Sequence, residues 1–281
     1  MRFGFHISIA GGFSKVIERA QAKECETIQL FSRNPRAWAA KELDPDDVAQ
    51  FQKELAASNI DPVFVHAPYL VNLASADDSL FLRSVSTLAL DVHRASHIGA
   101  GSVIVHVGKS LGVSEQEALR RVADGIDRSL SEAEEGILLL IENTAGQGSE
   151  IGYRFEQLAQ IRDLTRFRDR VGFCLDTAHA FGAGYDWRTP EAVDATIAAF
   201  DRYLGLRSLH LLHLNDSKRA LGSHRDRHWH IGRGEIGENG FRSIVRHRHL
   251  QHLPAIMETP RKTDQDDLVN MRTVRQLAAG G

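Results

Sequence analysis

Cysteine is nearly absent: Cys25 and Cys174 are the two thiols of a 281-residue chain. Neither belongs to a CxxC pair and no disulfide framework can be built from them, so both read as buried thiols in a reducing, cytoplasmic compartment. Long apolar runs are missing too. None approaches the roughly 18 residues of a membrane span, and the opening MRFGFHISIAGG lacks the apolar stretch of a signal peptide. Charge of one sign is not in excess: 34 Lys and Arg against 37 Asp and Glu leave −3. No global field therefore announces a nucleic-acid binder, and any such contact must come from a local patch. Linkers are lacking as well. The seven prolines are scattered and no Gly/Ser-rich stretch separates halves, which leaves one domain over residues 1–281.

What the chain does have is alternation. Apolar runs suited to strands cover Arg2–His6, Thr27–Phe31, Pro62–His66, Ser102–His106, Ile137–Glu142, Val171–Asp176, Leu209–Leu214 and Ala255–Glu258. Helical patterns lie near Ser14–Lys23, Pro45–Ser58, Asp78–Ile98, Ser114–Glu134, Phe155–Thr165, Pro190–Leu204, Asn239–Arg248 and Asp264–Leu277. Ser114 with Glu117 has capping-box spacing, Thr189-Pro190 suits an N-cap followed by N1, and Gly99 and Gly136 suit helix ends. Runs such as VIVH and ILLLIE are continuously apolar, as strands of a parallel sheet buried on both faces must be. Eight strand–helix pairs predict an α/β fold, a (β/α)₈ TIM barrel with its active site at the C-terminal face of the strands. A doubly wound sheet of six strands is the arrangement it competes with.

Fourteen histidines are the compositional oddity. Polar residues gather at the strand ends: His6, His66, His106, Glu142, Asp176, His213 and Glu258. Just beyond strand ends come His179 in DTAH, and Asp226 and His228 in HRDRHWH. A barrel brings all of these to one mouth. Leaving His6 aside, the set is five imidazoles and four carboxylates, which suits Zn²⁺, Mn²⁺ or Fe²⁺ better than Ca²⁺ or Mg²⁺. At about three or four ligands per ion, nine ligands hold up to three ions, and roughly +6 against −4 leaves a pocket that favours an anion such as a phosphodiester. A lone strand-end His is more often a satisfied core group, but that reading weakens across so many equivalent positions. His224 and His230 are read as bystanders, His247, His249 and His252 as solvated on a surface helix, and His93 and His97 as structural.

The segments FHISIAGG, HAPYLVNL, IENTAGQG, LDTAHAFGAGYD, LHLNDSK, DRHWHIGRGEIG and METP resemble, in order and over nearly the whole chain, the endonuclease IV family of apurinic/apyrimidinic (AP) endonucleases, AP endonuclease family 2. The resemblance implies a TIM barrel with three Zn²⁺ ions, Mn²⁺ being admissible in one position. His66, His106 and Glu142 match ligands of the first ion. Glu142 bridges to the second, held further by Asp176, His213 and Glu258. His179, Asp226 and His228 match the third. The implied activity is hydrolysis of the phosphodiester 5′ to an abasic site in double-stranded DNA, leaving a 3′-hydroxyl and a 5′-deoxyribose phosphate, by a monomer. Glu142 is the implied catalytic residue. Arg36 and Tyr69 match damage-probing loop residues suited to fill a gap in the base stack. Arg33, Lys109, Lys218, Arg219, Arg225 and Arg227 are rim cations suited to phosphates, and Trp38 is either a loop anchor or a base stacker. One departure is visible: HVGKS stands where the family often carries HPGSH, which keeps His106 but alters the loop and introduces Lys109. The rival enzyme is a xylose-isomerase-like sugar isomerase or epimerase, for which Glu142, Asp176, His213 and Glu258 would serve around one or two ions. A protein with purely structural zinc is the rival from another class, disfavoured because such sites prefer thiolates.

Overall fold

The computed structural model describes residues 1–131, 133 and 136–279, the side chain of Asp264 excepted. In chain order the strands are β1 (Arg2–Ile7), β2 (Thr27–Phe31), β3 (Val63–His66), β4 (Ser102–Val105), β5 (Leu138–Glu142), β6 (Val171–Asp176), β7 (Leu209–His213), β8 (Asp216–Ser217), β9 (His228–Trp229) and β10 (Pro254–Met257). The helices are α1 (Val16–Ala22), α2 (Pro45–Ala56), α3 (Asp78–Ile98), α4 (Glu115–Ser131), α5 (Phe155–Leu164), α6 (Thr177–Ala183), α7 (Pro190–Leu204), α8 (Gly237–Arg246) and α9 (Asp264–Ala279). Strands β1–β7 and β10 are parallel and close a barrel in the order β1-β10-β7-β6-β5-β4-β3-β2. This is the expected (β/α)₈ arrangement, and the six-strand open sheet is excluded. No helix among the described residues is long and apolar enough to cross a membrane.

The local signals behind these elements are realised. Asp44 and Asp77 accept hydrogen bonds from backbone N–H groups in the first turns of α2 and α3, and Thr189 does the same for α7 ahead of Pro190. Ser114 accepts from Glu117 N at 3.2 Å. Gly99 ends α3 in the left-handed region, where a side chain would strain the backbone. The helix expected from Ser14 opens instead as a 3₁₀ turn, Phe13–Lys15. The expected end of α4 at Glu134 lies outside the described residues. His247, His249 and His252 sit in a turn beyond α8 rather than on it.

Two elements show no periodic pattern in the sequence. Helix α6 is seven residues, nearly all buried, so it has no polar face to mark a period. The β8–β9 pairing is two residues long and antiparallel, below any readable alternation.

The barrel interior explains where function falls. Phe64, Ile104, Leu140, Cys174, Leu211 and Ile256, one from each of six strands, form a buried cluster apart from the main core. Side chains alternate along a strand, so the residue two positions further on points into the same space. Those residues are His66, His106, Glu142, Asp176, His213 and Glu258. The apolar layer is thus the floor of a polar mouth.

Candidate metal centre

All nine strand-end and loop candidates converge. His66 Nε2 and His106 Nε2 lie 3.1 and 3.4 Å from Glu142 Oε2. On the other carboxylate oxygen, His213 Nδ1 lies 3.0 Å and His179 Nδ1 3.2 Å from Glu142 Oε1. His213 Nδ1 also faces Glu258 Oε2 at 3.5 Å and Asp176 Oδ2 at 3.9 Å. Asp176 Oδ2 reaches His228 Nε2 at 3.5 Å, and Asp226 meets His179 Nε2 and His228 Nε2, each at 3.4 Å. Beside a trio of Glu142, Cys174 and His213, three donor groups made of imidazole and carboxylate alone result. His66, His106 and Glu142 form one; Glu142, Asp176, His213 and Glu258 a second; Asp176, His179 and His228 a third, joined by Asp226. Glu142 belongs to the first two and Asp176 to the last two.

The hydrogen bonds behind the imidazoles decide what these groups fit. A carbonyl oxygen only accepts, so the ring nitrogen facing it carries the hydrogen. His66 Nδ1 faces Ala67 O at 2.6 Å, His179 Nδ1 faces Asn143 O at 3.0 Å, and His228 Nδ1 faces Glu258 O at 3.2 Å. The opposite nitrogens are therefore lone pairs in the neutral rings. Two of them, His179 Nε2 and His228 Nε2, point at each other across 3.3 Å beside two carboxylates. Lone pairs so disposed need a cation between them, and imidazole with carboxylate is a transition-metal donor set.

Electrostatics agree. Burial disfavours the charged form of His179 and of His213, but the neighbouring carboxylates and, for His213, the Cys174 sulfur outweigh it and raise both well above the ordinary imidazole value. Burial likewise works against an ionised Glu142, yet His106, His213 and His179 hold it well below the usual carboxylate range. Asp226 is also lowered, again against burial, by His179 and His228. The carboxylates thus demand positive charge, which protons supply where divalent cations do not.

Three buried amides escaped the sequence reading. Asn143 pairs with the backbone of Asp176 in both directions. Asn215 donates to Asp176 Oδ2 at 2.7 Å and accepts from Glu258 N at 2.8 Å. Gln29, in β2, reaches His213, Glu258 and His6. Asn143 and Asn215 are flagged by following a strand-end candidate in ENT and HLND; Gln29 has no such marker. His6 lines the same mouth, with Nδ1 3.4 Å from Glu258 Oε1. His224 and His230 hydrogen-bond to Ala145 O and Asn270 instead.

The mouth opens into two cavities, of 490 and 590 Å³, which share His66, Tyr69, His106, His179 and Asp226 as walls. Tyr69 is 71% exposed despite standing between them, edge-on to Phe31. Arg36 is exposed on the loop beside it, and Lys218 lies over Trp229. Lys109 lines the larger cavity 3.5 Å from Glu150. Trp38 is anchored under Arg83.

Arg33 corrects an expectation. It is buried, not on the rim, with its guanidinium 3.3 Å from Asp91 and bonded to Trp38 O. Burial pushes the Asp91 carboxyl up to about 6, against the opposing pull of Ser32, Arg33 and Arg94. Arg33 therefore holds the loop that carries Arg36 and has no face for a phosphate. Removing one partner of a buried ion pair costs about 3–5 kcal/mol. Arg33→Ala is expected to lower the urea midpoint accordingly, and Arg36→Ala to leave it unchanged.

Residues 17–276 match the family model of the xylose isomerase-like TIM barrel. A probable endonuclease 4 from Methanosphaerula palustris is 43% identical over 281 residues, covering 99% of this chain and 98% of that protein. The solved endonuclease IV from Thermus thermophilus superposes with a TM-score of 0.88 at 37% identity, covering 99% of this chain and 98% of that one. A D-tagatose 3-epimerase-like protein superposes at 0.75 with 16% identity, covering 99% and 97%, and shares the fold alone. Fold and site together define a TIM-barrel enzyme with linked His and carboxylate donor groups at the strand ends. The chain belongs to the endonuclease IV family.

Proposed function

We propose that residues 1–281 form one AP endonuclease domain that hydrolyses the phosphodiester 5′ to an abasic site in double-stranded DNA. The observation that carries this reading is the presence of the first and third donor groups beside the second. A sugar isomerase or epimerase has use for Glu142, Asp176, His213 and Glu258, but not for His66, His106, His179, Asp226 and His228 as well. We assign three Zn²⁺ ions, with Mn²⁺ admissible in one position, to the three groups. The enzyme acts as a monomer in a reducing cytoplasm, in keeping with its two buried, unpaired cysteines.

Divalent cations bound there lower the pKa of water and polarise the phosphoryl oxygens. The protein's own part is geometric. Glu142 spans two donor groups, fixes their separation and orients the attacking water. Asp176 does the same between the second and third groups while capping α6, through His179 N at 2.7 Å. Water oxygen bonds to phosphorus as the bond to the 3′-oxygen breaks, and the leaving oxygen takes up a proton. The products are a 3′-hydroxyl and a 5′-deoxyribose phosphate.

Arg36 and Tyr69 probe for damage. An abasic nucleotide has no base to unstack, so its extrusion costs less than that of an intact one. Lys109, Lys218, Arg219, Arg225 and Arg227 hold phosphates on the rim. An aromatic contact to DNA contributes about 1–3 kcal/mol. Tyr69→Ala should therefore slow abasic-site incision about 10- to 100-fold while barely changing affinity for intact duplex; equal effects on both speak against the probe role. The direct test of the function is a labelled duplex with one synthetic abasic site: the expected product is a single cut on its 5′ side, and an uncut duplex refutes the reading.

A further inference from the structure

We infer that Gln29 is a positioning residue of the metal centre, whose side-chain amide selects the nitrogen that His213 presents and pins Glu258. The inference rests on the metal-centre reading above. Gln29 is fully buried in β2. Its Oε1 lies 2.7 Å from His213 Nε2, and its Nε2 lies 2.7 Å from Glu258 Oε1 and 2.9 Å from His6 Nδ1. An amide can be read in two orientations, and the surroundings must choose. Reversed, its carbonyl oxygen would meet a carboxylate oxygen at 2.7 Å with no hydrogen between them. The amide nitrogen therefore faces Glu258, and its two hydrogens go to Glu258 and His6.

With that orientation settled, His213 Nε2 must carry a hydrogen for Gln29 Oε1 to accept. In the neutral ring His213 Nδ1 is then the lone pair, on the side of Glu142 Oε1 and Glu258 Oε2. One amide thus orients two of the four side chains in the second donor group. Three of the other four donor rings are held differently. His66, His179 and His228 are each oriented by a backbone carbonyl, which no side-chain substitution removes. His213 depends on a side chain, so substitution at Gln29 acts on one donor group selectively.

The test uses full-length zinc-loaded protein. Wild type, Gln29→Leu and Gln29→Glu are compared by zinc content after gel filtration, by zinc titration against a competing chelator, and by ¹⁵N NMR of the imidazoles. Loss of a partner behind a ligand weakens metal binding about 10- to 100-fold. The expected result is that both variants lose affinity by this factor at one class of site and keep wild-type affinity at the rest. Gln29→Leu also shifts the His213 ring signals, whereas Gln29→Glu, which keeps an acceptor at Nε2, shifts them less. Unchanged zinc affinity with unchanged His213 signals in a folded Gln29→Leu overturns the inference, as does equal weakening at every site. Should the leucine variant not fold by circular dichroism, Gln29→Met carries the same expectations. Wild-type protein that binds no zinc overturns the metal-centre reading instead.

Discussion

Glu142→Gln is expected to abolish incision while leaving a folded protein that still binds DNA. Glu142 is fully buried, and four imidazole nitrogens lie 3.0–3.4 Å from its two oxygens. The amide is nearly isosteric but neutral, and it turns one of the two acceptor positions into a donor. Breaking a buried charge arrangement from one side costs about 3–5 kcal/mol. At 1.36 kcal/mol per decade that is about 10²–10⁴ in metal affinity, felt by the two donor groups that share Glu142. Single-turnover incision of an abasic duplex, with duplex binding and circular dichroism as controls, measures it. Wild-type turnover by a folded variant rules the mechanism out.

Metal removal has an equally large expected effect, because it reaches all three donor groups. Stripping with chelator should bring incision to background, and adding Zn²⁺ should restore it. Stability should fall as well. A ligand held at about 100 times its Kd contributes about 2.7 kcal/mol per site, and each kcal/mol moves Tm by about 2–4 °C in a chain near this size. On that basis each ion removed lowers Tm by on the order of 5–10 °C. The stripped centre takes up protons in place of cations, since its carboxylates hold His179 and His213 well above their ordinary range. A scanning calorimetry trace unchanged by chelation, with metal content shown to be zero, contradicts a metal-stabilised mouth. Undiminished incision by that same protein contradicts metal-dependent hydrolysis.

How much of this was legible in the sequence varies with the range of the cause. The barrel was legible because its signals are local: continuous apolar runs, Ser and Thr caps, and glycines at helix ends act within a few residues. Six of the nine metal-site candidates were legible for the same reason. Each stands at or one position past a strand end, two residues after an apolar side chain of the barrel interior, so the strand's own alternation aims it into the mouth. His179, Asp226 and His228 follow strand ends within their loops. Helix α6 and the β8–β9 pairing were not legible, because burial on all sides and two-residue length leave no period to read.

Tertiary structure alone decided the rest. Which imidazole nitrogen faces the centre depends on carbonyls and an amide up to 184 positions away in sequence, and nothing in a neighbouring residue encodes that. Arg33 and Arg36 look alike in SRNPRAW, yet Asp91, from α3, buries the first and leaves the second exposed. By itself the sequence determined that the chain folds as a barrel and that nine His, Asp and Glu side chains meet at its mouth. Only the closed structure decided how those side chains are grouped, because shared carboxylates, fixed tautomers and buried charges arise between strands that are distant in the chain.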